Sequence, residues 1–283
     1  MKTSPFRSLG FAALAGGMLL LTACDKDKTS PADNLESAED NGTADEENAA
    51  ISDIVNVAAP ADASSSNGAL AAEATDYDKV LSRCATRTYN AATRTLTIDF
   101  GTTNCLCPNG KLRRGKIVVV FSQGAYRQAG AITTVTLVDY FVNDNQHTGT
   151  RVFTNTGSGS FTLDVQNASI ITPAGTHSWT SQRQYARTAG FGTATILDDV
   201  YQVTGGAAGT NRKGVGYTAT IVQALTKNFA PGCARHFTAG TVSITNSKEQ
   251  SLLLNYDPTG TAACDNIATI TVNGRTRTIT LGR

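Results

Sequence analysis

The chain has 283 residues, of which 40% are hydrophobic, 17% charged and 7% aromatic, with a formal net charge of +1. That length allows one large domain or two small ones, and the near-zero charge argues against a strongly basic nucleic-acid binder or a uniformly acidic disordered chain. A mean hydropathy of -0.16 excludes a polytopic membrane protein, and six Cys and 26 Gly with seven Pro fit neither a collagen-like chain nor a small disulfide knot.

Residues 1–23 read as an export signal. Lys2 and Arg7 form a basic start, and an apolar stretch over 11–21 is too short to span a bilayer. It ends in Leu21-Thr22-Ala23-Cys24, which resembles the lipobox of bacterial lipoproteins. The resemblance implies cleavage before Cys24 and acylation (palmitate) of Cys24, anchoring the protein in a membrane through several buried chains. The following Asp25-Lys26-Asp27-Lys28 resembles the surface-export signals of Bacteroidota lipoproteins. The expected location is the outer membrane, facing the periplasm or the cell surface.

Residues 25–78 hold 14 acidic residues against two Lys, a net of -12, with one Tyr and no Phe or Trp. Such a composition does not offset its ordering entropy by apolar burial. Residues 24–78 are therefore expected to be a lipid anchor followed by a disordered, self-repelling linker. Residues 79–283 hold 20 Lys and Arg against nine Asp and Glu, a net of +11. The neutral total hides two oppositely charged segments.

The basic segment carries no sustained helical periodicity and reads as all-β. In residues 95–100, Leu96, Ile98 and Phe100 share one face while Thr95, Thr97 and Asp99 take the other. The apolar run 117–121 predicts a strand covered on both faces. Further strands are expected over 133–142, 150–155, 160–165, 178–187, 199–204, 216–225, 240–246 and 251–256. Thr makes up 36 of these 205 residues, as suits a half-wet pleated surface. Near the end, 268–272 and 275–281 flank Asn273-Gly274, the pair favoured in a two-residue type I′ turn. That turn would place Val272 opposite Arg275 and Ile270 opposite Arg277. Short turns throughout predict an antiparallel meander forming a single large curved sheet, barrel-like or sandwich-like.

Five cysteines remain beside Cys24, and an exported protein meets oxidising conditions. An internal echo suggests their pairing. Cys84-Ala85 precedes a hairpin ending in Asp99-Phe100 and then Cys107; Cys233-Ala234 precedes one ending in Asn255-Tyr256 and then Cys264. The expected disulfides are Cys84–Cys107 and Cys233–Cys264, with Cys105 left over or exchanging with Cys107. The runs Ile98 to Cys107, Gly110 to Ile117, Gly149-Thr150-Arg151 and Cys264 to Ala268 resemble a family of Bacteroidota lipoproteins with no assigned activity. The resemblance spans about residues 84–281 and implies an all-β lipoprotein without implying a mechanism. That family often has Cys-Arg-Trp where this chain has Cys233-Ala234-Arg235, so an aromatic contact inferred there does not carry over.

Lys111, Arg113, Arg114 and Lys116 form the densest basic cluster, a candidate surface for an anionic envelope ligand. Alternation puts Lys111 and Arg113 on one strand face and Arg114 and Lys116 on the other. The competing expectations are a solvated surface and neutralisation by the acidic linker of the same chain. Cys105 and Cys107 would need two further ligands to hold zinc, and no His stands at a matching spacing; no metal and no cofactor is expected. The glycine-rich run 205–214 lacks the phosphate-loop pattern and leads into a strand. Three His and nine carboxylates form no pattern of nucleophile and base, and Asp198-Asp199, the one adjacent acid pair, would point to opposite faces of a strand. Trp179 is read as core. The functional expectation is a non-catalytic envelope lipoprotein with a binding or structural β-domain. Its alternatives are an anionic-glycan or lipopolysaccharide binder and, further off, a hydrolase; no nucleic-acid partner is expected.

Overall fold

Alternation of apolar and polar residues organises the chain from Thr86 onward into strands. The structure, a computed structural model, describes residues 32–60, 80–81, 84–122, 124–193, 195–234, 236–247 and 251–281. The export signal, Cys24 and residues 61–79 lie outside the described residues. The elements are α1 (Ala32–Ala58), β1 (Thr86–Asn90), β2 (Thr95–Asp99), β3 (Cys105–Leu106), β4 (Leu112–Phe121), β5 (Ile132–Val142), β6 (Asn145–Gly157) and β7 (Ser160–Thr172). They continue with β8 (Gly175–Ala189), β9 (Val200–Thr210), β10 (Gly216–Asn228), β11 (Phe237–Asn246), β12 (Ser251–Asn255), β13 (Ile267–Val272) and β14 (Arg275–Thr280).

All fourteen strands belong to one antiparallel sheet in which neighbours in sequence are neighbours in space, with β3 extending the β2 side of β4. The sheet is open: its path runs from β1 to β14, and these two edges do not pair. The Asn273-Gly274 turn sets the anticipated register, Val272 opposite Arg275 and Ile270 opposite Arg277. Register shifts between many neighbouring strands curve the sheet. In one of them Gly115, at φ 90°, faces the bulged residue Asp139 of β5, and a Cβ at Gly115 would stand 2.0 Å from the Asp139 carbonyl oxygen. This bulge allows Val138 and Asp139 both to be exposed while Tyr140 turns into the interior.

The largest departure from expectation is α1. Residues 32–58 of the presumed disordered linker form a 27-residue helix enclosed by the concave face of the sheet. Its neighbours come from all round the sheet. Asp45 meets Arg183 of β8, Glu47 meets His147 of β6, Asp53 meets Lys227 of β10, and the Val57 carbonyl accepts from Arg87 of β1. Gly42 lies where an added Cβ would be 3.3 Å from Leu281, close to Tyr256 and Leu254. Composition misleads here because it weighs the segment alone. Ala38, Ala44, Ala49, Ile51, Ile54, Val55 and Val57 are buried against the sheet, and the carboxylates find cations there. Small side chains let a helix fit inside the curve, and Pro60 follows shortly after its end. Sheet and helix share one core, so the boundary expected at 78/79 does not separate a tether from a domain.

Cysteine pairing is half as expected. Cys233–Cys264 forms, but Cys84 pairs with Cys105, and Cys107 is a buried free thiol. The short strand β3 holds Cys105 opposite Arg113 on β4, next to the start of β1 where Cys84 lies. Two residues later the backbone has left the strand for a turn closed by Cys107 N–H to the Lys111 carbonyl, which takes the Cys107 thiol inward. The echo failed because its second copy has no counterpart of β3. The bridges close loops of 21 and 31 residues and contribute about 3 and 4 kcal/mol respectively in the chain-entropy account. Non-reducing peptide mapping is expected to recover Cys84–Cys105 and Cys233–Cys264, with Cys107 alkylated only after unfolding. Recovery of Cys84–Cys107 would contradict this pairing.

Candidate functional site

The inward rows of the strands carry more charge than a sheet core normally does. Along β8 the buried row reads His177, Trp179, Ser181, Arg183, Tyr185. Arg113, Arg151, Arg183 and Lys227 are each 3% exposed or less. A buried cation needs a carboxylate or several acceptors to offset its lost hydration, and α1 supplies the carboxylates.

The pairs run the length of the helix. At its N-terminal end the Arg212 backbone N–H donates to Asp40 (2.7 Å), the Arg212 guanidinium bonds Asp40 and Glu39, and Asn211 donates to Ser37 (2.9 Å). In the middle Arg183 Nε and Nη2 both donate to one Asp45 oxygen at 3.1 and 2.8 Å. Glu46 meets His236 Nδ1 at 2.6 Å, and Glu47 meets His147 Nδ1 at 3.1 Å. Towards the C-terminal end Lys227 Nζ lies 3.7 Å from Asp53, and the Tyr126 hydroxyl donates to Asn56 (2.7 Å).

The electrostatics differ from pair to pair. Burial alone would raise the Glu47 carboxyl, but the charge and hydrogen bond of His147, with Arg113 and Arg151, outweigh it and hold the pKa at about 2. At Asp53 burial wins over Lys227 and Arg113, and the pKa is raised to about 6. At Asp40 burial likewise outweighs Arg212. Arg183 is raised because Asp45 more than offsets its burial, whereas Arg151 is lowered because Glu47 and Tyr140 do not. Arg151 Nε and Nη2 accordingly have no acceptor, and its Nη1 makes only long contacts to the Thr148 and Gly149 carbonyls. His177, stacked on Trp179 and bonded to the Tyr217 hydroxyl, is held neutral by burial and then by Arg212, with a pKa of about 3.

These shifts set a pH dependence. A carboxyl whose folded pKa is raised contributes stability that is present below its unfolded pKa and lost as pH rises through the folded one, here about 6 for Asp53. His177, with its pKa depressed, acts oppositely: stability falls as pH drops below about 6.5. The Glu47 contribution is lost only as pH falls from about 4.5 through about 2. Between pH 7 and pH 5, protonation of Asp53 therefore opposes the loss at His177. Asp53→Asn is expected to steepen the fall in stability across that interval by about 1 kcal/mol relative to the parent chain. Denaturant titrations at the two pH values check this, and an equal slope in both proteins would refute it.

The expected basic cluster does not form one surface. Arg113 faces inward and donates to the Tyr140 hydroxyl. Arg114 faces outward, bonds Asn104 and Asp144, and stacks on Phe141 at 3.9 Å. Lys116 pairs with Asp99 at 2.8 Å on the exterior. Lys111 lies in the turn before β4, its N–H bonded to Asn109. Strand alternation divides the four, and neighbouring carboxylates neutralise two of them. The interior cations Arg151 and Arg183 fall within the strands expected over 150–155 and 178–187, but the ranges alone give them no direction. Arg183 stands two residues from Tyr185 and four from Trp179, so treating those aromatics as core marks Arg183 as inward. Among the described residues no group of three His, Cys, Asp or Glu is placed to hold a metal ion. No helix among them is long and apolar enough to cross a membrane. Comparison of the chain with protein-family models, with curated proteins and with solved structures found no match.

Proposed function

We propose that this protein is an outer-membrane lipoprotein, anchored through Cys24, whose β-domain has a non-catalytic structural or protein-binding role. One observation carries the reading: residues 32–58 of the acidic segment are seated inside the sheet, so opposite charges of the two segments meet within one molecule. The buried carboxylates a hydrolase would draw on are engaged instead. Asp45 is held by Arg183, Glu46 by His236, Glu47 by His147, and Asp199 by Arg187 and Tyr201. The dispersal of Lys111, Arg113, Arg114 and Lys116 favours this role over an anionic-glycan surface built on them. The lipobox and the basic start of the chain support the anchor.

Cys24→Ala is expected to abolish incorporation of labelled palmitate and to leave unprocessed precursor. Normal processing of that variant would overturn the anchor. Cross-linking in intact cells is expected to join the β-domain to a protein partner or a second copy; recovery of monomer alone would count against the structural role. Salt-sensitive binding of lipopolysaccharide, lost on changing Lys111, Arg113 and Arg114 to Ala, would instead favour the anionic ligand.

A further inference from the structure

We infer that β14 is a self-docking edge: two copies of this chain join by antiparallel pairing of their β14 strands about Thr278. The inference deepens the protein-binding role proposed above and rests on it. β14 ends the sheet, and among the described residues no strand lies beyond it. The two-residue turn at Asn273-Gly274 makes Val272 and Arg275 a hydrogen-bonded pair, so Arg275, Arg277 and Ile279 direct their N–H and C=O groups to β13. The Leu281 N–H, bonded to the Asn266 carbonyl, continues that side. The backbone groups of Thr276, Thr278 and Thr280 therefore face outward from the edge. Sheet edges are commonly blunted by a Pro or a bulge, but β14 contains no Pro and its register with β13 is unbroken.

Symmetry selects the register. With Thr278 opposite the same residue of the second copy, Thr276 stands opposite Thr280 and Arg277 opposite Ile279. Every outward N–H and C=O of the three threonines is then paired. Thr meets Thr on the convex face, where Thr271 and Thr276 already bond at 2.9 Å, and no Arg stands directly opposite an Arg. On the concave side a cleft of about 290 Å³ lies beside β14, lined by Arg277, Ile279 and Leu281 together with Glu39 and Thr43 of α1 and Arg212. That end of α1 is acidic: Glu36, Glu39 and Asp40 gather round one guanidinium, Arg212. Among the described residues Arg275 and Arg277 have no hydrogen-bond or ion-pair partner. A second β14 laid along this edge brings its Arg277 to the mouth of the cleft, where the carboxylates of α1 attract it. Arginines that would repel a basic strand thus suit a second copy.

Thr278→Cys in the full chain, expressed in cells and oxidised with copper–phenanthroline, is expected to give a disulfide-linked dimer on a non-reducing gel. The two Cα atoms would stand about 5.5 Å apart, within the reach of a disulfide. Thr276→Cys or Thr280→Cys alone is expected to give at least about fivefold less dimer, because each would sit about 14 Å along the strand from its own counterpart. Those two variants expressed together are expected to restore the dimer, since Thr276 faces Thr280 across the pair, and this does not depend on Thr278→Cys folding. The parent chain, with its Cys107 thiol buried, is expected to give none. Absence of dimer from both Thr278→Cys and the mixed pair, as pairing of β14 with β1 of a second copy would produce, would overturn the edge. So would equal yields at the three positions taken singly. Cross-linking of the parent chain to a different protein, with no β14 dimer, would defeat the edge and leave the protein-binding role standing, whereas no cross-link of either kind would defeat both.

Discussion

Deletion of residues 32–58 is expected to leave the β-domain without a cooperative unfolding transition. With α1 gone, Arg183, Lys227 and His147 lose their carboxylates, and the residues that face Ile51, Ile54 and Val55 lose their cover. Removing one partner of a buried pair costs about 3–5 kcal/mol. Several such losses together exceed the roughly 5–15 kcal/mol by which a domain is stable. Circular dichroism and calorimetry of residues 80–283 at neutral pH measure this directly. A synthetic peptide of residues 32–58 added in trans is expected to restore the transition, since α1 belongs to no strand ladder and meets the sheet through side chains such as Arg183, His147 and Lys227. The peptide alone would be marginally helical at best, so its binding would be coupled to its folding. A truncated domain that unfolds cooperatively within a few degrees of the parent would show that α1 is an accessory and not core. Removing the acidic segment is therefore not a neutral way to isolate the charge of the sheet.

Two buried arginines are expected to respond very differently to the same substitution. Arg183→Met leaves Asp45, 4% exposed, without the guanidinium that accounts for both donors to its Oδ1, and is expected to cost about 3–5 kcal/mol. Arg151→Met removes a guanidinium whose Nε and Nη2 have no acceptor and whose charge burial already disfavours. Glu47 keeps His147, and the expected change is within about 1 kcal/mol, since replacing a poorly satisfied buried ion by an apolar group of similar length is often neutral. Urea denaturation of the two variants checks the contrast. Similar losses at both positions would mean that Arg151 is held by partners the geometry does not reveal, ordered water among them.

Much of the sheet was readable from local pattern. Leu96, Ile98 and Phe100 face the core as their alternation requires, and Asn273-Gly274 fixes the last hairpin because both positions need φ > 0. The longer strands extend beyond their expected ends, because Asn, Gln and Gly in flanks such as 145–149, 166–172 and 205–210 read as turn residues and interrupt the alternation. The strand β3 was missed: two residues carry no period, and with it went the Cys84–Cys105 pairing. In the site, alternation correctly separated Arg113 from Arg114, and the sequence held both Arg151 and Arg183 in view. What no local pattern supplied was the partner of each. Asp45 and Arg183 are 138 residues apart, and Glu46 and His236 are 190 apart.

The amino-acid sequence by itself determined the antiparallel strand order, the faces of residues 95–100 and of Arg113 and Arg114, one of the two disulfides and the division of the chain into an acidic and a basic part, whereas the strand over 117–121, expected to be covered on both faces, has Val120 exposed. These follow from the period of two along a strand, from turn chemistry and from counting charge, and the disulfide from the internal echo. Only the tertiary structure decided that residues 32–58 of the acidic part pack into the core of the basic one. A segment's own composition sets the cost of ordering it, but the cations and apolar walls that offset that cost lie on distant strands. Ion pairing across a folded sheet leaves no period in the sequence, and the apparent net charge of +1 records its cancellation without showing where it happens.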